Sequence, residues 1–226
     1  MLKTLSLVTV GATVMALGAI TQAEAAQIIQ PQSASTDMGE SSIFIIDNAI
    51  NQSGLSATYT SGVTDFDTYV SGNPTNGFVG SWISTMGTTA GSVTFDLGNV
   101  FGLDGMAMWG SVNNFSVQNF DLFASLTGAE GSFVSLGSFV QDLQLGDDPA
   151  QVFNFNATTA QFIRMDIKDS YSPRNVGIGE VAFRAADVTP EPVPEPMTIF
   201  GLATTLGFGA LVNRKNSKKQ KNKDNN

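Results

Sequence analysis

Apolar and polar residues alternate in short runs through the middle of this chain, and that period confines it to strands. Val93, Phe95 and Leu97 alternate with Thr94 and Asp96, and the same spacing returns at Phe120, Leu122 and Ala124 and at Ile163, Met165 and Ile167. Successive strand side chains point to opposite faces, so a period of two puts one face in a core and the other in water. Shorter apolar pieces lie at Phe133-Val134, at 152–155 and at 181–183. Gly, Asn, Asp and Ser punctuate them, as in Leu97-Gly98-Asn99, Thr127-Gly128 and Gly146-Asp147-Asp148-Pro149. No window between residues 90 and 185 carries a helical stripe, and many short strands in one domain indicate a sandwich or a barrel. Residues 31–89 are looser and rich in Ser, Thr and Gly, with residues 43–46 expected to be buried.

Both ends of the chain read as targeting segments. Lys3, the uncharged apolar stretch 5–20 and the small-x-small Ala23-Glu24-Ala25 have the form of a secretory signal peptide over 1–25, cut after Ala25. At the other end Pro190, Pro192, Pro194 and Pro196 make 189–196 an extended spacer. An uncharged apolar run of 16 residues, 197–212, follows it. As a helix it rises about 24 Å at ~1.5 Å per residue, a short span for a hydrocarbon core about 30 Å thick. The membrane helix is placed over 197–213 and the basic tail over 214–226. That tail carries six basic residues against Asp224, which keeps it cytoplasmic and everything before Pro196 outside. Val193-Pro194-Glu195-Pro196, an apolar run and a basic end together resemble the PEP-CTERM sorting signal of exported proteins in Gram-negative envelopes. The resemblance implies a partner, an exosortase-type membrane protease-transpeptidase, and a transient membrane anchor before processing. The alternative is an ordinary single-pass anchor that is never cut.

Residues 26–191 are enough for one well-filled domain, taken as a sandwich over 26–188. They hold four basic residues, Arg164, Lys168, Arg174 and Arg184, against 17 acidic ones, a net charge of −13. A body this acidic does not neutralise phosphates, so nucleic acid is excluded as a partner. Cys and His are both absent. Disulfides, thiolate nucleophiles and thiolate metal sites are therefore excluded, as are Ser-His-Asp catalysis and His-ligated metals. Carboxylate-pair chemistry passes that filter.

Several strands carry a second resemblance. Val93-Thr94-Phe95-Asp96-Leu97-Gly98, then Met106-Ala107-Met108-Trp109-Gly110 as the next strand, then Phe120 with Leu122 and Ser125 follow in the order of discoidin-type, galactose-binding-like domains. Ala160-Gln161-Phe162-Ile163-Arg164-Met165 and the closing Ile178-Gly179-Glu180-Val181-Ala182-Phe183 continue it, over roughly residues 32–185. The implied fold is all-β, a jelly-roll, discoidin-like β-sandwich, here flanked by the signal peptide and the short C-terminal transmembrane helix.

The resemblance also implies site residues. In calcium-containing members an Asp of an early loop and the Glu of the last strand meet in an oxygen cage, which maps onto Asp47 and Glu180. No cofactor is required, and a structural Ca2+ ion is the one such group the resemblance implies. The bland alternative pairs Glu180 with Arg164 or Arg184 and leaves Asp47 opening a turn. A ligand surface is expected on loops at one end of the sandwich. Tyr171, Arg174 and Asn175 offer a flat apolar face and fixed donors, and Asn113 and Asn114 lie in the loop where sugar-binding members usually place an Arg. The alternative makes these solvated turn residues, with Tyr171 a lid over the core. Trp109 is expected in the core, and Trp82 begins a strand near a loop. Asp65 and Asp67 form an acid–aromatic cluster with Phe66 and Tyr69, read as two carboxylates on the same face of a strand.

The expected function is an exported, surface- or matrix-sorted, non-enzymatic module of the Gram-negative envelope that binds extracellular polysaccharide. The alternatives are a purely structural matrix or adhesion protein and a carboxylate-dependent glycan hydrolase using Asp65 and Asp67.

Overall fold

The computed structural model describes residues 25–111, 113–144 and 147–186, with Phe78 described by its backbone alone. The signal peptide, the Pro-rich spacer, the Val193–Pro196 motif, the membrane helix and the basic tail lie outside these residues. Among the described residues no helix is long and apolar enough to cross a membrane.

Two long strands organise the body. β4 (Gly91–Gly110) and β7 (Gln151–Ile167) pair antiparallel from Gly91 opposite Ile167 to Met108 opposite Gln151. The register slips between Asp96 and Phe101 and again between Leu103 and Gly105. At the first slip Gly98 takes φ +76°, its N–H donates to the Asp96 carboxylate at 2.8 Å, and the Gln32 side chain occupies the space a Cβ would need. Only glycine suits that conformation and that approach, and such irregularities bend a strand pair. The segments 93–98 and 106–110, expected as successive strands, are therefore two halves of one strand with a bulged middle.

The halves of this ribbon belong to two layers. The first half of β4 is bordered by β2 (Ser33–Thr36), and the partner half of β7 by β5 (Asn119–Ser125), which pairs in turn with β6 (Val134–Val140). The second half of β4 pairs with β8 (Gly177–Ala185), whose far edge carries β1 (Ile28–Ile29) and β3 (Trp82–Ile83). All pairings between these strands are antiparallel.

The period-2 sets of the sequence fill the space between the layers. Val93, Phe95, Leu97, Phe120, Leu122, Ile163, Met165 and Ile167 from one layer meet Met106, Met108, Val181 and Phe183 from the other in one buried cluster. Phe95 sits edge-on to Phe183 with ring centroids 5.9 Å apart, and Phe120 edge-on to Phe153 at 5.0 Å. Both are favoured aromatic geometries.

The outer face of the β4–β8 layer is covered as well. Ala107, Trp109 and Ala182, on the opposite pleat, pack with Ile28, Tyr59 and Phe66 in a second cluster. The run Met106–Gly110 is apolar throughout because it is buried on both faces. The cover comes from residues 49–76 and includes the one α-helix among the described residues, α1 (Phe66–Ser71). Asp65 is its N-cap, accepting from Thr68 N–H at 2.8 Å, which holds its carboxyl below the usual range. Asp67 lies in the first helical turn, 3.6 Å from Arg184. The two acids expected on one face of a strand are thus a helix cap and an ion-pair partner, because Asp65 starts a helix that six residues are too few to announce in the sequence. Trp109 donates its Nε1–H to Pro74 O at 2.7 Å and Trp82 donates to Gly39 O at 3.0 Å, and both are fully buried.

Residues 43–46 depart from the expected burial. Ser41 and Phe44 form a tight bridge and a 3₁₀ turn begins at Ile46, so Ile46 alone enters the core while Ile43 and Ile45 face outward.

Candidate functional site

Three loops meet at the end of the sandwich where β4 stops and β8 begins: 84–90, 113–118 and 168–176. Backbone bonds lock them together. Gly177 N–H donates to Phe115 O at 2.6 Å, Tyr171 N–H to Ser116 O at 3.3 Å, and Gly87 N–H to Arg174 O at 2.7 Å. Side chains repeat the pattern. Ser170 Oγ bonds to Asn175 O at 2.9 Å and Ser116 O at 3.2 Å, and Ser84 Oγ receives Val176 N–H at 3.0 Å. Beneath lies a buried polar floor. Gln144 Oε1 accepts from Gly110 N–H and from Gln141 Nε2, its Nε2 donates to Pro149 O at 2.6 Å, and Ser116 Oγ donates to Ser111 O at 2.9 Å. These bonds tie the loops to the floor, while Ser111 Oγ and Gln141 Oε1 are buried in it without a hydrogen-bond partner among the described residues.

The five expected ligand residues divide on this frame. Tyr171 is half-buried and donates its hydroxyl to Gln141 O at 2.8 Å, so it ties two loops and roofs the floor. Asn175 is buried and donates its side-chain amide to Ser84 O at 2.8 Å. Asn113 and Asn114 are exposed and both left-handed, with φ of 56° and 58°. Two consecutive non-glycine residues there are uncommon, although Asn tolerates the region best. Arg174 is exposed, and among the described residues it has no ion-pair partner. The other three basic residues are engaged: Arg164 with Asp166 at 3.0 Å, Lys168 with Asp121 at 3.0 Å and Arg184 with Asp104 at 2.7 Å. The loop 84–90 was not anticipated. It brings Met86, 76% exposed, onto the turn whose next amide holds Arg174. A large apolar residue between Thr85 and Gly87, in a turn-forming stretch, was the available signal.

Replacing Tyr171 with Phe removes only the bond to Gln141 O. The expected loss is about 1 kcal/mol of stability, read by urea unfolding. A change above about 3 kcal/mol would mean that the hydroxyl holds more than one loop.

Glu180 lies elsewhere, on the covered outer face of β8. It is fully buried and pairs with neither Arg164 nor Arg184. One oxygen accepts Gln52 N–H at 2.8 Å and the other faces Tyr59 Oη at 3.4 Å. Burial pushes its pKa up to about 8, against the two donors. Tyr69 is raised to about 12 by its own burial and then by Glu180, and Tyr59 is raised for the same reasons in the same order. Asp47 is exposed on the 3₁₀ turn Ile46–Ala49, where its backbone oxygen accepts Ile50 N–H at 3.2 Å. Around Glu180 stand an N–H and an O–H donor where a hard cation needs six to eight oxygen ligands. Among the described residues no group of three or more acidic side chains gathers in a way that holds a metal. As placed, Asp47 and Glu180 do not fit a calcium cage. A thermal melt with and without chelator is expected to give the same midpoint, and a fall of several degrees would show that an ion belongs to the fold.

No known family profile and no curated protein matches this chain. Solved structures do. The CBM32-1 and CBM32-2 domains of Clostridium perfringens ZmpB in complex with GalNAc superpose with a TM-score of 0.51 at 15% identity, over 70% of this chain and 35% of theirs. The same domains with the M60 catalytic domain give 0.51 at 14% identity, over 70% of this chain and 14% of that one. The chain spans about a third of the first of these structures and a seventh of the second. At such identity the likeness concerns the fold. The body is a discoidin-like β-sandwich.

Proposed function

We propose that this protein is an exported, non-catalytic carbohydrate-binding module, sorted to the cell surface or to an extracellular polysaccharide matrix. The observation that carries the reading is the rim itself. A three-loop platform over a buried polar floor displays a cation with no ion-pair partner among the described residues, two left-handed Asn residues and an exposed apolar side chain. That mixture of fixed donors and apolar surface suits a polyhydroxylated ligand. The solved ZmpB domains, which have this fold and were determined with GalNAc, support it by analogy of fold.

The acids a hydrolase would need are otherwise engaged, Asp65 as a cap and Asp67 with Arg184. Sorting rests on the sequence: Val193-Pro194-Glu195-Pro196, the apolar run and the basic tail direct the chain to an exosortase-type protease-transpeptidase. Deleting residues 194–196 is expected to leave an uncleaved protein in the membrane fraction. An unchanged mass and fractionation would end the sorting part of the proposal.

The binding part is tested by screening the full chain on a glycan array. Saturable binding that weakens in Arg174→Ala is expected. A blank array from folded protein would favour the structural matrix reading instead.

A further inference from the structure

The carbohydrate-binding reading leaves open which sugars the rim selects, and the charge pattern around Arg174 bears on that choice. The body has 17 acidic residues for four basic ones, so a carboxylate partner is easy to find, and three of the four cations have one. Arg174 is kept apart. Its backbone is pinned on both sides, N–H to Ser172 Oγ at 3.2 Å and O from Gly87 N–H at 2.7 Å, and its neighbour Asn175 is buried and bonded to Ser84 O. The guanidinium is thus carried on a fixed root and exposed, with no ion-pair partner among the described residues, and the loop bonded to that root carries the exposed Met86. A guanidinium presents two parallel N–H donors that match the two oxygens of a carboxylate, a fit that neutral hydroxyls do not reproduce.

We propose that the rim selects glycans bearing an isolated carboxylate, a single uronic-acid-type group in an otherwise neutral chain, with Arg174 as the residue that reads it. The proposal rests on the carbohydrate-binding reading above. Asn113 and Asn114 supply amides for neighbouring hydroxyls, and Met86 offers an apolar face to a sugar ring. The word isolated follows from the rest of the surface. A net charge of −13 opposes any dense polyanion, and screening at physiological salt removes that repulsion only beyond about 8 Å. One cation in an acidic surround favours one anion over many.

The test uses the full chain and matched ligands. Isothermal titration is run with a neutral oligosaccharide ending in one glucuronic acid, with the same oligosaccharide after reduction of its carboxyl to an alcohol, and with polygalacturonate as the densely charged comparison. The expected result is a preference of about tenfold or more for the acid over the alcohol, the range of a charge-assisted pair, with polygalacturonate no tighter than the mono-acid. Arg174→Ala should weaken the acid about tenfold more than it weakens the alcohol, which removes the preference. Arg174→Lys should keep part of it, as a point charge without the fork. Equal affinity for acid and alcohol overturns the acidic class and leaves the carbohydrate reading standing. Arg174→Ala weakening both ligands alike overturns the proposal too, since the residue would then only hold its loop. Tighter binding of polygalacturonate overturns the requirement for an isolated charge. Failure to bind either oligosaccharide by a protein that binds neutral sugars on the array removes the acidic class alone, and with a blank array both readings fall.

Discussion

Glu180→Gln is expected to stabilise the protein at pH 8.5 by a few kcal/mol and to leave it nearly unchanged at pH 4.5. The sign follows from the buried carboxyl. In the folded protein burial raises its pKa to about 8, while in the unfolded chain it titrates near its ordinary 4.5. Between those values folding takes up a proton, so the stabilising contribution is whole below about pH 4.5 and is lost as pH rises towards 8, above which it stays lost. Each pH unit in the window costs up to about 1.4 kcal/mol, and real shifts relax, so a total on the order of 3–5 kcal/mol is the outer range. A glutamine keeps an oxygen for Gln52 N–H and turns an amide towards the Tyr59 hydroxyl, whose oxygen accepts. It carries no proton to lose. Urea unfolding at pH 4.5, 6.5 and 8.5 measures the effect. A difference between the two proteins that fails to grow with pH would refute the account.

Trp109→Ala is expected to cost about 4 kcal/mol, the usual range for deleting a buried large aromatic. The ring is fully buried beneath the 49–76 cover, edge-on to Tyr69 at 6.3 Å, and its Nε1–H is the donor to Pro74 O. The substitution leaves a cavity and deprives Pro74 O of that donor, two penalties at one position. Domains of this size have roughly 5–15 kcal/mol in total, so the variant stands near the limit of folding. Hydrogen exchange should show the loss first in residues 49–76, ahead of β4 and β7. A cost below about 1.5 kcal/mol in urea would mean that the cover collapses onto the gap.

These two residues show what sequence can and cannot reveal. Trp109 ends an apolar run, which marks it as core, but the run does not disclose that a loose Ser/Thr-rich segment lies over it. That segment has no period because it is neither strand nor long helix, and its register on the sheet is set by contacts such as Tyr59 to Glu180, 121 residues apart. Glu180 was legible as the acid of a closing strand. Its partners were not, since a backbone amide has no signature in composition. The strands around Phe95, Phe120 and Ile163 were legible because each has one dry face and one wet face. The bulge at Gly98 hid that β4 is a single strand, since a bulge breaks the period it joins. Arg174 could be seen as a loop cation, but its lack of a partner is a property of the surface as a whole. Asn175 reads as an exposed loop residue and is buried, because loop 84–90 packs against it.

The two ends of the described chain leave the sandwich together: β1 pairs with the last residues of β8, and Ala185 N–H donates to Gln27 O at 2.8 Å. The rim sits at the other end of β8, nine residues away, or about 30 Å at ~3.3 Å per residue. The described chain therefore begins and ends at the pole opposite the rim. A fluorophore attached at residue 26 or residue 186 of the body would crowd the base and leave the rim free.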